Sequence, residues 1–192
     1  MVNPHLAVAI EVLWVLLPMY IASATATLPR GRGPPMDFGR TWPGDGRRLL
    51  GPSKTWSGFL FGSCFAFPVA ILQAWLILIA PPSLRLVPSY GPTVLAAIPV
   101  AVILTFGAMT GDALGSFVKR RLGRDSGARL VLLDQMPFVL LPIAIGLAVA
   151  PATFWPPFGS LEGIFWLLVY TLALHTAFNW VGYWVGLKKV PW

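Results

Sequence analysis

Long apolar runs alternate along this chain with shorter polar stretches, and nearly all the charge sits in the latter. Five runs stand out: His5 to Leu28, Trp56 to Ala80, Thr93 to Phe117, Val131 to Ala150 and Leu161 to Leu187. Each has about 20 residues or more, enough to cross the hydrocarbon layer as a helix. Backbone groups in lipid must pair within their own segment, so all five are predicted to be helical. The expected fold class is therefore all-α, a polytopic membrane protein with a single bundle of five transmembrane helices over 1–192. No internal repeat is visible. Pro18, Pro68, Pro99, Pro137 and Pro142 fall inside the runs and predict bends, which could open a cavity between helices.

Composition strengthens the membrane reading, because 56% of residues are hydrophobic and only 11% charged. A soluble domain of this length carries far more polar surface. The basic residues then orient the bundle. Arg30, Arg32, Arg40, Arg47, Arg48 and Lys54 lie between the first two runs. Lys119, Arg120, Arg121, Arg124 and Arg129 lie between the third and fourth, and Lys188 and Lys189 in the tail. Only Arg85 lies elsewhere. The positive-inside rule places these loops, about 29–55 and 118–130, and the C-terminus in the cytoplasm, with the N-terminus outside. Ala22-Ser23-Ala24 resembles a signal-peptide cleavage site, but no Lys or Arg precedes the first run. The basic cluster follows it, so a retained helix is expected. The single cysteine, Cys64, carries no disulfide within the chain.

Small residues mark where helices approach. Gly107, Gly111 and Gly115 recur every four positions and line one face of the third predicted helix. Gly58 and Gly62 do so in the second, Gly182 and Gly186 in the fifth. Asp112, beside the first of these faces, is expected to point toward protein.

Chemistry concentrates at Asp112 and Asp134. The third and fourth predicted helices form an antiparallel hairpin, which brings both carboxylates to a similar depth near the cytoplasmic edge. Ionised aspartates there are costly without partners and are functional candidates by default. A divalent cation would relieve their repulsion and bridge to phosphate oxygens. The alternative is that each pairs with an Arg or Lys of the same loop. Ser116 and Lys119 follow Asp112 on the same face and are candidates for contacting phosphate. Arg120, with Arg121 and Arg124, is either a phosphate ligand or a positive-inside residue. In the first loop, Arg47, Arg48, Ser53, Lys54 and Thr55 form a second basic constellation. Gly51-Pro52-Ser53-Lys54-Thr55 is not a P-loop, since Gly and Lys are not adjacent and no strand precedes them. It is instead a turn into a helix whose free amides favour anions. Asp37 is a candidate substrate contact, and Asp37 and Asp45 are candidate further metal ligands or else solvated loop acids. Thr171, His175, Asn179 and Tyr183 form a polar stripe suited to interhelical hydrogen bonds or to a headgroup. Glu11, Gln73 and Glu162 fall on the outer half and receive no catalytic part.

At these residues the chain resembles the CDP-archaeol synthase family, and more distantly the CDP-diacylglycerol synthases. The resemblance rests on DFG from Asp37, DGRRLLGPSKTWSG from Asp45, GDALGSFVKRRLG from Gly111 and LLDQMPF from Leu132. It implies transfer of CMP from CTP onto 2,3-bis-O-geranylgeranyl-sn-glycerol 1-phosphate, with pyrophosphate as product, in archaeal phospholipid synthesis. It implies Mg2+ on Asp112 and Asp134, and Lys54, Lys119, Arg120 and Arg47 or Arg48 stabilising pyrophosphate and positioning the lipid phosphate. The family's first helix carries an Asn near its cytoplasmic end, where this chain has Ser23. No nucleic acid and no obligate protein partner are expected. A related synthase acting on another lipid phosphate is the nearest alternative. A small transporter is another, but it calls for ionisable groups strung across the bilayer and usually a repeat.

Overall fold

A computed structural model describes residues 3–81, 85–125 and 130–187. Arg129, Lys188, Lys189 and Trp192, all used in the orientation and anchoring arguments, lie outside the described residues. The described chain is helical without a β-strand, and its extended backbone pairs only at two isolated bridges, Pro35 with Thr55 and Thr41 with Arg48. Four helices are long and apolar enough to cross a membrane: α1 (Pro4–Thr25), α2 (Trp56–Ile79), α3 (Ile98–Arg121) and α7 (Leu161–Trp184). Between α3 and α7 lie α4 (Val131–Gln135), α5 (Pro137–Val149) and α6 (Pro151–Phe158).

Local chemistry sets these boundaries. Thr55 caps α2 by accepting the Gly58 N–H at 3.2 Å, and Ser160 caps α7 by accepting that of Gly163 at 3.0 Å. The predicted fourth span, Val131–Ala150, is not one helix. It breaks at Met136, because Pro137 has no N–H to continue the ladder and starts a new helix at its favoured first position. The 13 residues of α5 alone reach about 20 Å, less than the roughly 30 Å of a hydrocarbon core. The third helix also differs from its predicted bounds. It begins at Ile98, after a turn, and runs on through Arg121, so Lys119, Arg120 and Arg121 are helical and the second loop is shorter than expected.

The first helix is the centre of the bundle and packs against α2, α3, α5, α6 and α7. Its Val12, Val15, Leu16, Met19 and Tyr20 are buried with Leu104 of α3, Val139 of α5 and Phe154 of α6. A segment supplying this much of the core is an integral helix. The glycine faces work as expected. A methyl at Gly107 would lie 3.1 Å from Pro142, and one at Gly115 would lie 2.9 Å from the Leu133 carbonyl oxygen. Across the other seam, Gly62 of α2 admits the Ala22 carbonyl of α1. Leu60, Phe61, Phe65 and Leu72 of α2 and Phe165, Leu168 and Leu172 of α7 are exposed, which suits a lipid-facing surface. At the end of the bundle away from the basic loops, Gln73 donates to the Trp14 carbonyl and Glu162 meets His5 at 3.0 Å.

Candidate active site

The first loop is a folded structure rather than a surface-lying amphipathic segment, and Asp37 organises it. Its fully buried carboxylate accepts from the Arg48 guanidinium and from the backbone N–H groups of Gly39, Leu50 and Gly51 at 3.0–3.1 Å. Gly39, at φ +79, closes the turn. Burial alone opposes ionisation, but Arg48 and the amides of Gly51, Leu50 and Gly39 outweigh it and hold Asp37 well below the usual carboxylate range. A depressed value stabilises the loop wherever an unfolded carboxylate would be ionised. That contribution is complete above the ordinary value of 3.8 and is lost as pH falls below it. Hydrogen exchange over 36–51 is therefore expected to accelerate in acid. In Asp37→Asn, which costs about 2 kcal/mol of local stability, it should already be fast at neutral pH and insensitive to acid.

A second tie joins this loop to α3. The Arg121 guanidinium donates to Asp45 at 2.9 Å and to the carbonyls of Arg47 and Arg48, while lying over the rings of Trp42 and Phe117. Asp45 is thus committed to the loop rather than solvated. Together the two ties fix the strand-like stretch that ends in Ser53, Lys54 and Thr55 at the start of α2.

There Lys54 reaches across to α3 and meets Asp112 at 2.6 Å. On the same side, Lys119 of α3 meets Asp134 of α4 at 2.5 Å. Asp134 also accepts the Leu130 N–H at 2.9 Å, which fixes the one-turn helix that carries it. All four side chains line one cavity of about 600 Å³. Ser23, Thr27, Ser53 and Thr55 add hydroxyls, and Met36, Phe59 and Met109 add an apolar wall. Both carboxylates stay about a third exposed, at 33% and 30%, so ligands can still reach them. The expected alternative of lysine pairing therefore describes this state, although for Asp112 the lysine comes from the other loop.

Two carboxylates opening into one cavity fit Mg2+, which commonly takes one or two protein carboxylates and completes its shell with water and substrate phosphates. A cage of three or more acidic, His or Cys groups is absent among the described residues, so an all-protein site of the calcium type is not what these side chains form.

Several predicted contacts lie elsewhere. Asp37 and Arg48 are spent on each other. Arg47 is exposed, and its guanidinium lies near Gly123. The buried Arg120 donates to the Arg124 carbonyl. Ser116 is not part of the cavity lining. In the polar stripe of α7, Thr171 and Asn179 are buried, His175 lines the cavity and Tyr183 is exposed. Sequence reasoning missed Arg30, Thr27 and Met36 as lining residues. Of these only Arg30 carried a signal, as a lone cation directly after the first apolar run.

The chain matches the model of the family described as CarS-like, CDP-archaeol synthase, over residues 5–192. It is 36% identical to the CDP-archaeol synthase of Archaeoglobus fulgidus, covering 95% of this chain and 97% of that one. The chain belongs to the CDP-archaeol synthase family. The corresponding protein of Methanocaldococcus jannaschii is 38% identical over 94% of this chain and 95% of that one. Among solved structures, an intramembrane enzyme for archaeal membrane lipid biosynthesis superposes with a TM-score of 0.69 at 34% identity. The match covers 88% of this chain and 93% of that structure, so it includes both the bundle and the cavity-forming loops. As a member of the CDP-archaeol synthase family with several apolar helices, the chain is a multi-pass membrane enzyme.

Proposed function

We propose that this chain transfers CMP from CTP to an isoprenoid ether-lipid phosphate at the cytoplasmic face of the membrane, releasing pyrophosphate. The family gives lipid-phosphate cytidylyl transfer in archaeal lipid synthesis. The observation that carries the residue assignment is the meeting of Lys54, Asp112, Lys119 and Asp134 in one cavity. A phosphate monoester on the lipid is already anionic at neutral pH, so its oxygen attacks without a general base. A new bond forms between that oxygen and the α-phosphorus, and the bond from the α-phosphorus to the bridging oxygen of the β-phosphate breaks. Pyrophosphate leaves with the electron pair.

The obstacle is repulsion between two polyanions. Asp112 and Asp134 would hold Mg2+, which supplies charge neutralisation at the phosphates. Lys54 and Lys119 would exchange their carboxylates for phosphate oxygens, acting as fixed donors in a partly dehydrated site. Ser53 and Thr55 would orient the nucleotide at the start of α2. The roles of Asp37, Arg47, Arg48 and Arg120 shift from substrate contact to support of the loops that hold those lysines. Orientation follows the distribution of Lys and Arg. With α1, α2, α3 and α7 as four crossings, the broken α4–α5–α6 segment would complete a fifth.

The test is ligand-dependent stabilisation followed by turnover. Mg2+ with CTP is expected to raise the melting temperature of the detergent-solubilised protein, while Mg2+ with ATP leaves it unchanged. Pyrophosphate should appear only when lipid phosphate is added. Equal stabilisation by both nucleotides, with no pyrophosphate from CTP, would remove the assignment.

A further inference from the structure

We propose that the cleft between α1 and α7 seats the hydrocarbon end of the lipid substrate, with Arg30 and His175 receiving its phosphate where the cleft meets the reaction cavity. This rests on the cytidylyl-transfer reading. A second, smaller cavity of about 100 Å³ lies between these helices and shares Ser23, Thr27, His175 and Leu187 with the larger one. Its remaining walls include Ala24 of α1 and Phe178, Val181 and Gly182 of α7. The two spaces are therefore continuous, and they differ in character. The larger carries the aspartates and lysines, whereas the smaller is mostly apolar.

An amphiphile with long tails cannot cross the polar loops without exposing those tails to water. Each buried methylene is worth about 0.8 kcal/mol, which keeps the tails in the bilayer. A path through the side of the bundle solves this, and α7 is where the bundle is thinnest. Its most apolar window is only 17% buried, against 39–50% for the other long helices. Phe178, Val181 and Val185 on its rim are 40–59% exposed. The cleft is too small to enclose two long chains, so it holds the segment next to the headgroup while the rest extends along α7.

Charge marks the opposite end. Three cationic side chains line the larger cavity. Lys54 and Lys119 each already meet an aspartate, whereas Arg30 makes no ion pair with a carboxylate among the described residues. Arg30 holds a left-handed backbone, φ +53, secured by its N–H donating to the Thr27 carbonyl at 2.9 Å. That conformation is uncommon for a non-glycine residue and fixes its side chain over the junction. A planar guanidinium suits bidentate contact with a phosphate monoester. His175, packed on the Phe138 ring at 5.8 Å between centroids, borders both spaces and presents ring nitrogens to the headgroup.

The test compares two ether-lipid phosphates, one with geranylgeranyl tails and one with six-carbon tails, in turnover and in equilibrium binding without CTP. Ala24→Phe, which fills the cleft, is expected to raise the KM and Kd of the long-tailed lipid about tenfold and to leave the short-tailed one unchanged. Arg30→Gln is expected to weaken both lipids about tenfold. Neither variant should alter stabilisation by Mg2+ with CTP. Should Ala24→Phe fail to accumulate, Val181→Trp at the exposed rim repeats the comparison. Equal effects on both tail lengths, no effect on either, or loss of CTP stabilisation in Arg30→Gln would overturn the proposal. If the wild-type protein yields no pyrophosphate, the cytidylyl-transfer reading fails, and direct lipid binding still decides the cleft.

Discussion

Asp112→Asn and Asp134→Asn are each expected to lower pyrophosphate release from CTP and lipid phosphate by about a thousandfold or more, in a protein that remains folded. Asparagine keeps the shape of the side chain and can still accept from Lys54 or Lys119. It removes the negative charge that would attract a hard divalent cation. The two ion pairs allow a purely structural reading, in which each carboxylate exists to satisfy its lysine, and the readouts separate the two. A structural ion pair predicts a lower melting temperature with Mn2+ binding intact. A metal site predicts a nearly unchanged melting temperature and loss of bound Mn2+ in electron paramagnetic resonance. Both pairs are about a third exposed on the acid side, so breaking either costs little stability. Turnover within a few fold of wild type in either variant would sink the metal assignment.

Gly111→Ala is expected to cost about 3 kcal/mol of stability and most of the activity, although it adds one methyl group and touches no substrate. That methyl would lie 2.2 Å from the Pro137 carbonyl oxygen and 2.9 Å from the Phe138 Cα. Both are backbone atoms that no rotamer change can move aside. The helix pair must separate, and it separates between the two aspartates: Asp112 is the next residue on α3, and Asp134 lies three residues before Pro137. A drop in melting temperature in detergent together with weakened Mn2+ binding would bear this out. A variant as stable and as active as wild type would mean that α3 and α5 do not meet at Gly111. Gly107→Ala serves as a graded control, because its methyl would face Pro142 at 3.1 Å, where a small shift suffices.

The apolar runs were legible because lipid imposes a single demand on every residue of a span, and that demand shows in composition. Three of the five predicted runs matched long helices to within a few residues, and a fourth, Thr93 to Phe117, was offset toward its C-terminal end. The break at Met136 was not read from the sequence. Hydropathy does not distinguish a continuous helix from two that share an apolar run, and Pro137 was read as a bend. The glycine faces were legible because period-four spacing projects onto one side of any helix. Asp112 and Asp134 were legible because charge in a span is rare enough to stand out.

The sequence by itself determined an all-helical membrane bundle, its basic loops, and two acidic side chains that needed partners. Which partners they have was decided in three dimensions. Lys54 is 58 residues from Asp112, and only the loop folded around Asp37 and stapled by Arg121 brings it there. The same folding removed Asp37 and Arg48 from the pool of substrate contacts by pairing them, and it brought Arg30 and His175 to one cavity rim. Local pattern fixes which face of a helix is apolar, since that depends on neighbours a few residues away. It does not fix which distant cation ends beside which carboxylate, since that depends on a loop's path through space.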